Sequence, residues 1–131
     1  MRRKKTDRQK IEKELDDISK LLAKHRDNWT CQHCGRGGDK RQMHGSHVIP
    51  VSSGKRLRWD LSNIKCLCAY CHRRWWHGNP LEAWEWFQGK FPARADYLVS
   101  ARMLGAKKWS VEELEIMLDN YRERLSEYER A

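Results

Sequence analysis

The sequence predicts an α+β fold, and three observations predict it. Apolar residues recur at gaps of three and four near both ends of the chain, over residues 11–22 and 114–128, the period of amphipathic helices. The centre holds short segments of strand character instead, one of them alternating charged and apolar side chains. Two cysteine pairs, Cys31-Gln32-His33-Cys34 and Cys68-Ala69-Tyr70-Cys71, bracket that centre. A chain of 131 residues makes one domain with a helical appendage, small enough to gain from a covalent or metal staple.

The elements follow in order. Residues 1–10 are polar and predict no ordered element. Ile11, Leu15, Ile18, Leu21 and Leu22 mark an amphipathic helix over residues 10–26. Residues 29–36 read as a tight knuckle, with Gly35, Gly37 and Gly38 as its turn. Residues 43–51 have strand character interrupted at Pro50. Residues 52–54 are a loop, and residues 55–59 alternate as a half-buried strand does. Residues 60–63 are polar and loop-like. A helix is expected to begin at the second knuckle, over residues 68–76. Asn79, Pro80 and Glu82 form a helix start, with Asn as cap, Pro at the first position and Glu closing a capping box. A further helix is expected over residues 93–104, stopping at Gly105. Ser110 and Glu113 form a second capping box. The last helix carries Leu114, Met117, Leu118, Tyr121, Leu125 and Tyr128, a stripe resembling a short heptad seam. It either packs back on the domain or joins two copies, so monomer and weak dimer both stand.

The cysteines set the chemistry of the centre. A two-residue gap lets both thiolates of a turn point at one ion, and zinc takes four such ligands at structural sites. Five cysteines in a secreted protein would suggest disulfides instead. The basic N-terminus has no apolar stretch after it, so it reads as no secretory signal, and paired spacing favours structural Zn²⁺ in a reducing, cytoplasmic setting. The ligands are Cys31, Cys34, Cys68 and Cys71. Cys66, offset from the pairs, reads as a small buried residue, and His33 as a surface residue of its knuckle. The 34-residue step from Cys34 to Cys68 means that an insertion is clamped between the knuckles.

Mean hydropathy is −0.97, and no apolar run approaches membrane length, which excludes a spanning helix and a membrane partner. The net charge of +9 is uneven: residues 28–109 carry +9 and residues 110–131 carry −4. A basic centre suits a polyanionic partner, DNA being the case taken here.

The insertion carries a resemblance. Cys31-x-x-Cys34-Gly35, then Ser46-His47-Val48-Ile49-Pro50, then Asn63-Ile64-Lys65-Cys66-Leu67-Cys68-x-x-Cys71-His72, resembles the zinc-ribbon HNH endonucleases, which have a ββα-metal fold. His47 to Asn63 is sixteen residues and Asn63 to His72 is nine, similar to that family's spacing. The longer run through Arg58-Trp59-Asp60-Leu61-Ser62-Asn63 to Asn79-Pro80-Leu81 resembles phage and prophage NinG-type recombination nucleases. The resemblance covers residues 29–91. It implies an HNH core there, a basic arm and N-terminal helix over 1–28, and a C-terminal helical appendage over 92–131.

The implied activity is hydrolysis of DNA phosphodiester bonds, as a nick or otherwise, with Mn²⁺ or Mg²⁺ as catalytic ion. The resemblance makes His47 the general base, since neutral imidazole accepts a proton near pH 7. Asn63 would hold the His47 ring or the surrounding loop, and His72 would hold the divalent ion. One departure concerns residue 46. Many relatives have Asp or His just before the base, and this chain has Ser46. His44 lies two residues away on the same strand face and is the replacement ligand preferred here. His77 ranks behind it, and water fills the gap otherwise. An Asp at position 46 would then add a ligand.

Lys55, Arg56 and Arg58 precede the catalytic loop, and Arg73 and Arg74 follow His72, as candidate phosphate contacts. Trp75 and Trp76 read as core before base stacking, and His25 as a solvated helix residue. The main alternative is a zinc-ribbon DNA-binding module without chemistry. It needs the zinc and the charge but not His47, Asn63 and His72 together. A third reading is an adaptor built on the acidic last helix.

Overall fold

The computed structural model describes residues 6–130, so part of the basic arm expected over residues 1–10 lies outside the described residues. The remainder of that arm is helical. Thr6 and Gln9 form a reciprocal capping box that starts helix α1 at Asp7, and α1 runs Asp7–Arg26. Capping satisfies the first free amides of the helix, so a polar stretch folds where periodicity alone predicts nothing. Asn28 and Trp29 then take left-handed φ values of 56° and 52°, which turn the chain away from α1 into the first knuckle.

Two short strands follow, β1 (Met43–His47) and β2 (Ile64–Cys68). They pair antiparallel, with Ser46 opposite Lys65 and His47 opposite Ile64. α1 lies across β1 so closely that a Cβ on Gly45 would stand 2.6 Å from the Lys20 Cβ; only glycine permits that approach. Every residue of β2 is buried. Its outer edge is covered. Asp27 Oδ2 accepts from the Cys66 amide at 2.9 Å, and Arg26 and Arg94 both donate to the Ile64 carbonyl. A covered edge cannot pair with another chain.

The segment expected as a strand over residues 55–59 is a set of turns instead. No strand lies beside it, and its alternation serves two neighbours: Leu57 and Trp59 are buried, while Lys55 and Arg58 turn to carboxylates of α1. β1 also ends at His47, before Pro50, because the chain must leave the sheet to form the loop that Asn63 holds. The helix expected to begin at the second knuckle is present, as a π-helix over Cys71–Trp76.

Three helices complete the chain: α2 (Pro80–Lys90), α3 (Pro92–Met103) and α4 (Val111–Arg130). Pro80 opens α2 as expected, but Asn79 makes no side-chain cap bond. Ser110 and Glu113 do form their capping box. The α4 stripe packs on α1 and Trp59, with Leu114 and Leu118 buried against Leu15, Ile18 and Leu22. A second core joins the knuckles to Trp75, Trp76, Phe87 and Leu98, so both tryptophans are core. The architecture is α+β, a two-stranded sheet beside the cysteine cluster with flanking helices. No helix among the described residues is long and apolar enough to cross a membrane.

Candidate functional site

The cysteine cluster lies between the start of the insertion and its end. Gly35 takes a φ of 78° and its amide donates to the Cys31 carbonyl at 2.9 Å, closing the first knuckle. Within the pairs, the Cys34 and Cys71 amides donate to the sulfurs of Cys31 and Cys68 at 3.5 and 3.4 Å. The ligand atoms of Cys31, Cys34, Cys68 and Cys71 all lie within 4.8 Å of one another. These four cysteines are positioned to hold one metal ion. The donor set suits zinc: tetrahedral ligands at a Zn–S length of about 2.3 Å stand about 3.8 Å apart, and Cys34 Sγ and Cys68 Sγ stand 3.8 Å apart. Cys66 is outside the cluster and fully buried, and burial pushes its thiol up to about 12. His33 stacks on Trp75 with ring centroids 3.5 Å apart and approaches Cys71 Sγ at 3.4 Å, a partner to the cluster that the sequence does not reveal.

Asn63 is buried at the end of a 3₁₀ turn, Leu61–Asn63, just before β2. Its Oδ1 accepts from the Ile49 amide at 2.8 Å, and its Nδ2 donates to the Ile49 and Leu57 carbonyls at 3.0 Å each. One side chain thereby closes the loop over residues 49–57 with three hydrogen bonds. Asn63 is not hydrogen-bonded to His47; of the two roles expected for it, the geometry fits the loop.

His47 ends β1 with its ring half-buried. Its Nε2 lies 2.8 Å from the Arg58 carbonyl. A carbonyl only accepts, so Nε2 carries the proton and Nδ1 is left with the lone pair. Burial pushes the His47 pKa below the usual imidazole value; the Arg58 carbonyl opposes that shift, and Lys20 and Lys65 add to it. His47 is therefore neutral near pH 7, with Nδ1 as its basic atom.

His44 and His72 meet across the strand and the second knuckle, Nδ1 to Nδ1 at 2.9 Å. Two cis ligands at about 2.1 Å from one ion stand about 3.0 Å apart, so the pair fits one metal as well as it fits a hydrogen bond. Burial, then the His77 and His44 charges, lower the His72 pKa to about 4, which leaves its ring free to ligate. His77 lies beside His72, ring centroids 4.8 Å apart. Among the described residues the four cysteines are the only cluster of three or more potential ligands. A cavity of ≈ 440 Å³ is lined by Gly45, His47 and Val48 on one side and by His72, Trp76 and His77 on the other.

Residues 31–75 match the family model described as HNH endonuclease. The matched HNH segment runs from the first cysteine to Trp75 and contains His47, Asn63 and His72. It makes nuclease chemistry the activity suggested for this part of the chain. No curated protein and no solved structure matches the chain.

The expected basic contacts separate into two groups. Arg73 and Arg74 are exposed on the π-helix beside His72. Arg58 is bound to Asp16 and Glu12, Lys55 to Glu12, and Arg56 Nε to the Gly105 carbonyl. Sequence reasoning missed Lys65. It is fully buried, its Nζ lies 3.1 Å from Ser46 Oγ and 3.2 Å over the Trp76 ring, and burial drives its pKa well below the ordinary lysine value. Its place opposite Ser46 follows from the register of a hairpin, which no local pattern announces.

Proposed function

We propose that the HNH segment and its supporting helices form a metal-dependent DNA endonuclease that hydrolyses phosphodiester bonds, with His47 as general base. The observation that carries this reading is the His47 Nε2 bond to the Arg58 carbonyl, which leaves Nδ1 as a neutral, oriented base in the cavity wall. His47 Nδ1 takes a proton from water as that water's oxygen bonds to phosphorus and the bond to the 3′ oxygen breaks. Asn63 keeps the loop that carries the Arg58 carbonyl in one shape. His44 and His72 would hold one divalent ion, Mn²⁺ or Mg²⁺, and the ion would supply positive charge at the phosphate oxygens.

Structural Zn²⁺ on the four cysteines would staple the two ends of the segment, and a zinc–thiolate site suits a reducing cytoplasm. Arg73 and Arg74 contact DNA phosphates beside the cleaved bond; Lys55, Arg56 and Arg58 also shape the loop through their bonds within the protein. One base in one cavity would cut one strand per encounter, so a monomer would nick and a dimer through α4 would bring two such cavities together. The motif run from Gly45 to Leu81 supports a phage or prophage NinG-type role. Digestion of supercoiled plasmid with Mn²⁺, Mg²⁺ or EDTA tests the reading. Metal-dependent conversion to the nicked form is the expected result. Intact plasmid with either ion, alongside salt-sensitive DNA binding, would return the chain to a non-catalytic zinc-ribbon module.

A further inference from the structure

The matched HNH segment begins at residue 31 and leaves out α1, yet α1 reaches the acceptor that orients His47. Asp16 Oδ1 accepts from Arg58 Nε at 2.9 Å and from Trp59 Nε1 at 2.8 Å, and Asp16 Oδ2 accepts from Arg58 Nη2 at 2.8 Å. Glu12, 8% exposed, adds Arg58 Nη1 at 3.3 Å and Lys55 Nζ at 3.1 Å. Two consecutive residues, 58 and 59, are thus bound to one carboxylate. The carbonyl between them is the Arg58 oxygen that accepts from His47.

Asn63 Nδ2 and the Tyr121 hydroxyl donate to the neighbouring Leu57 and Trp59 carbonyls at 3.0 and 2.6 Å, but among the described residues only Asp16 hydrogen-bonds the side chains of both Arg58 and Trp59. The segment has no strand partner, and its own turn bonds, Arg58 N to Lys55 O and Asp60 N to Leu57 O, are 3.3 Å each. A bidentate carboxylate–guanidinium pair fixes both direction and distance. α1 itself is seated without slack, its Lys20 backbone at the limit of approach to Gly45. An ion pair whose only task was to secure α1 would not need to grip the two side chains that flank the acceptor of the base.

We propose that Asp16 is a positioning residue of the catalytic site. Acting through Arg58 and Trp59, it holds the Arg58 carbonyl where it selects the Nε2–H form of His47, so the N-terminal helix is a working part of the nuclease. The role in catalysis rests on His47 being the base; the role in selecting the ring form does not. Wrong placement of a catalytic group by about 1 Å costs on the order of a hundredfold in rate.

The test uses the full chain, zinc-loaded and labelled with ¹⁵N-histidine. Imidazole nitrogen shifts report which ring nitrogen carries the proton, and His47→Gln assigns the signal. Wild type is expected to show His47 protonated at Nε2 near neutral pH. Asp16→Asn is expected to give a mixture of both ring forms and a kcat lower by roughly ten- to a hundredfold, with KM for DNA within twofold. Asp16→Asn should cost nothing further in a His47→Ala background, because residues that act as one unit are not additive. Asp17→Asn, one residue on and in the exposed Lys13 pair, should change neither readout. If Asp16→Asn does not fold, Arg58→Lys reads the same effect, since a lysine cannot bridge both carboxylate oxygens. The proposal is overturned if wild-type His47 is protonated at Nδ1, if the ring form is unmoved by the variants, or if the loss is as large without His47. A protein that cuts no DNA but shows the shift in ring form keeps the positioning and removes the nuclease reading.

Discussion

Lys65 Nζ lies 3.1 Å from Ser46 Oγ, inside the sheet and against the Trp76 ring. The Ser46 and His47 carbonyls complete its surroundings at 3.5 and 3.4 Å. In the sequence, Ser46 looks like a lost ligand that Asp would restore. In the fold, the space beside it belongs to a buried amine.

Ser46→Asp therefore pairs with Lys65, because a carboxylate beside the buried amine favours its protonated form. The Mn²⁺ concentration that half-activates cleavage should move by less than about twofold. A tenfold drop, about 1.4 kcal/mol of tighter binding, would show that position 46 reaches the ion after all.

The cysteine cluster predicts one zinc per chain. Cys31→Ser and Cys71→Ser should each lose the metal and at least about 3 kcal/mol of stability, since zinc binding here is folding energy. Cys66→Ser should keep the metal, because that sulfur lies outside the cluster. Metal content by mass spectrometry and unfolding in urea read both effects. A fully folded, metal-free wild type would contradict the assignment.

Much of this was legible in the sequence, for identifiable reasons. Cysteine pairing and the spacing of His47, Asn63 and His72 are local or nearly local signals, and the fold brings the cysteines to one point and His47 and His72 to one cavity. The Ser110 capping box and the α4 stripe were legible because helix rules act within one turn. What the sequence concealed is relational. The alternation over residues 55–59 is the same whether a strand or an acidic helix lies beside it. Nothing local in the sequence singles out Glu12 and Asp16; only the fold brings Arg58 and Trp59 to them. Nothing local in the sequence marks Lys65 as buried; only the register puts it opposite Ser46.

Asn63→Ala removes the three hydrogen bonds that close the loop over residues 49–57. Buried groups left without partners cost about 1–3 kcal/mol each, so the domain should lose roughly 3 kcal/mol or more. Zinc content should persist in the folded fraction. Calorimetry measures the loss, and a change below about 1 kcal/mol would mean that the loop holds its shape without Asn63.

The pH dependence follows from His47. Burial holds its native pKa below the ordinary imidazole value of 6.5, and the base works only when neutral. Log kcat/KM should rise with pH on the acid side, bend below pH 6.5 and stay flat through pH 7 to 8. The linked stability has the same sign. The native state binds fewer protons than the unfolded chain, so stability from this group is full above pH 6.5 and is lost as pH falls toward the native pKa. An acid limb with its midpoint above pH 7 would contradict a buried, neutral His47.

The central claim is that His47 moves the proton in a phosphodiester hydrolysis. Single-turnover cleavage of plasmid by His47→Ala, with Mn²⁺ saturating and zinc content verified, tests it most directly. The rate should fall by roughly two to four orders of magnitude, the range for removal of a general base, with DNA affinity within about twofold of wild type because the imidazole contributes little to binding. A His47→Ala protein that cuts at the wild-type rate would contradict it.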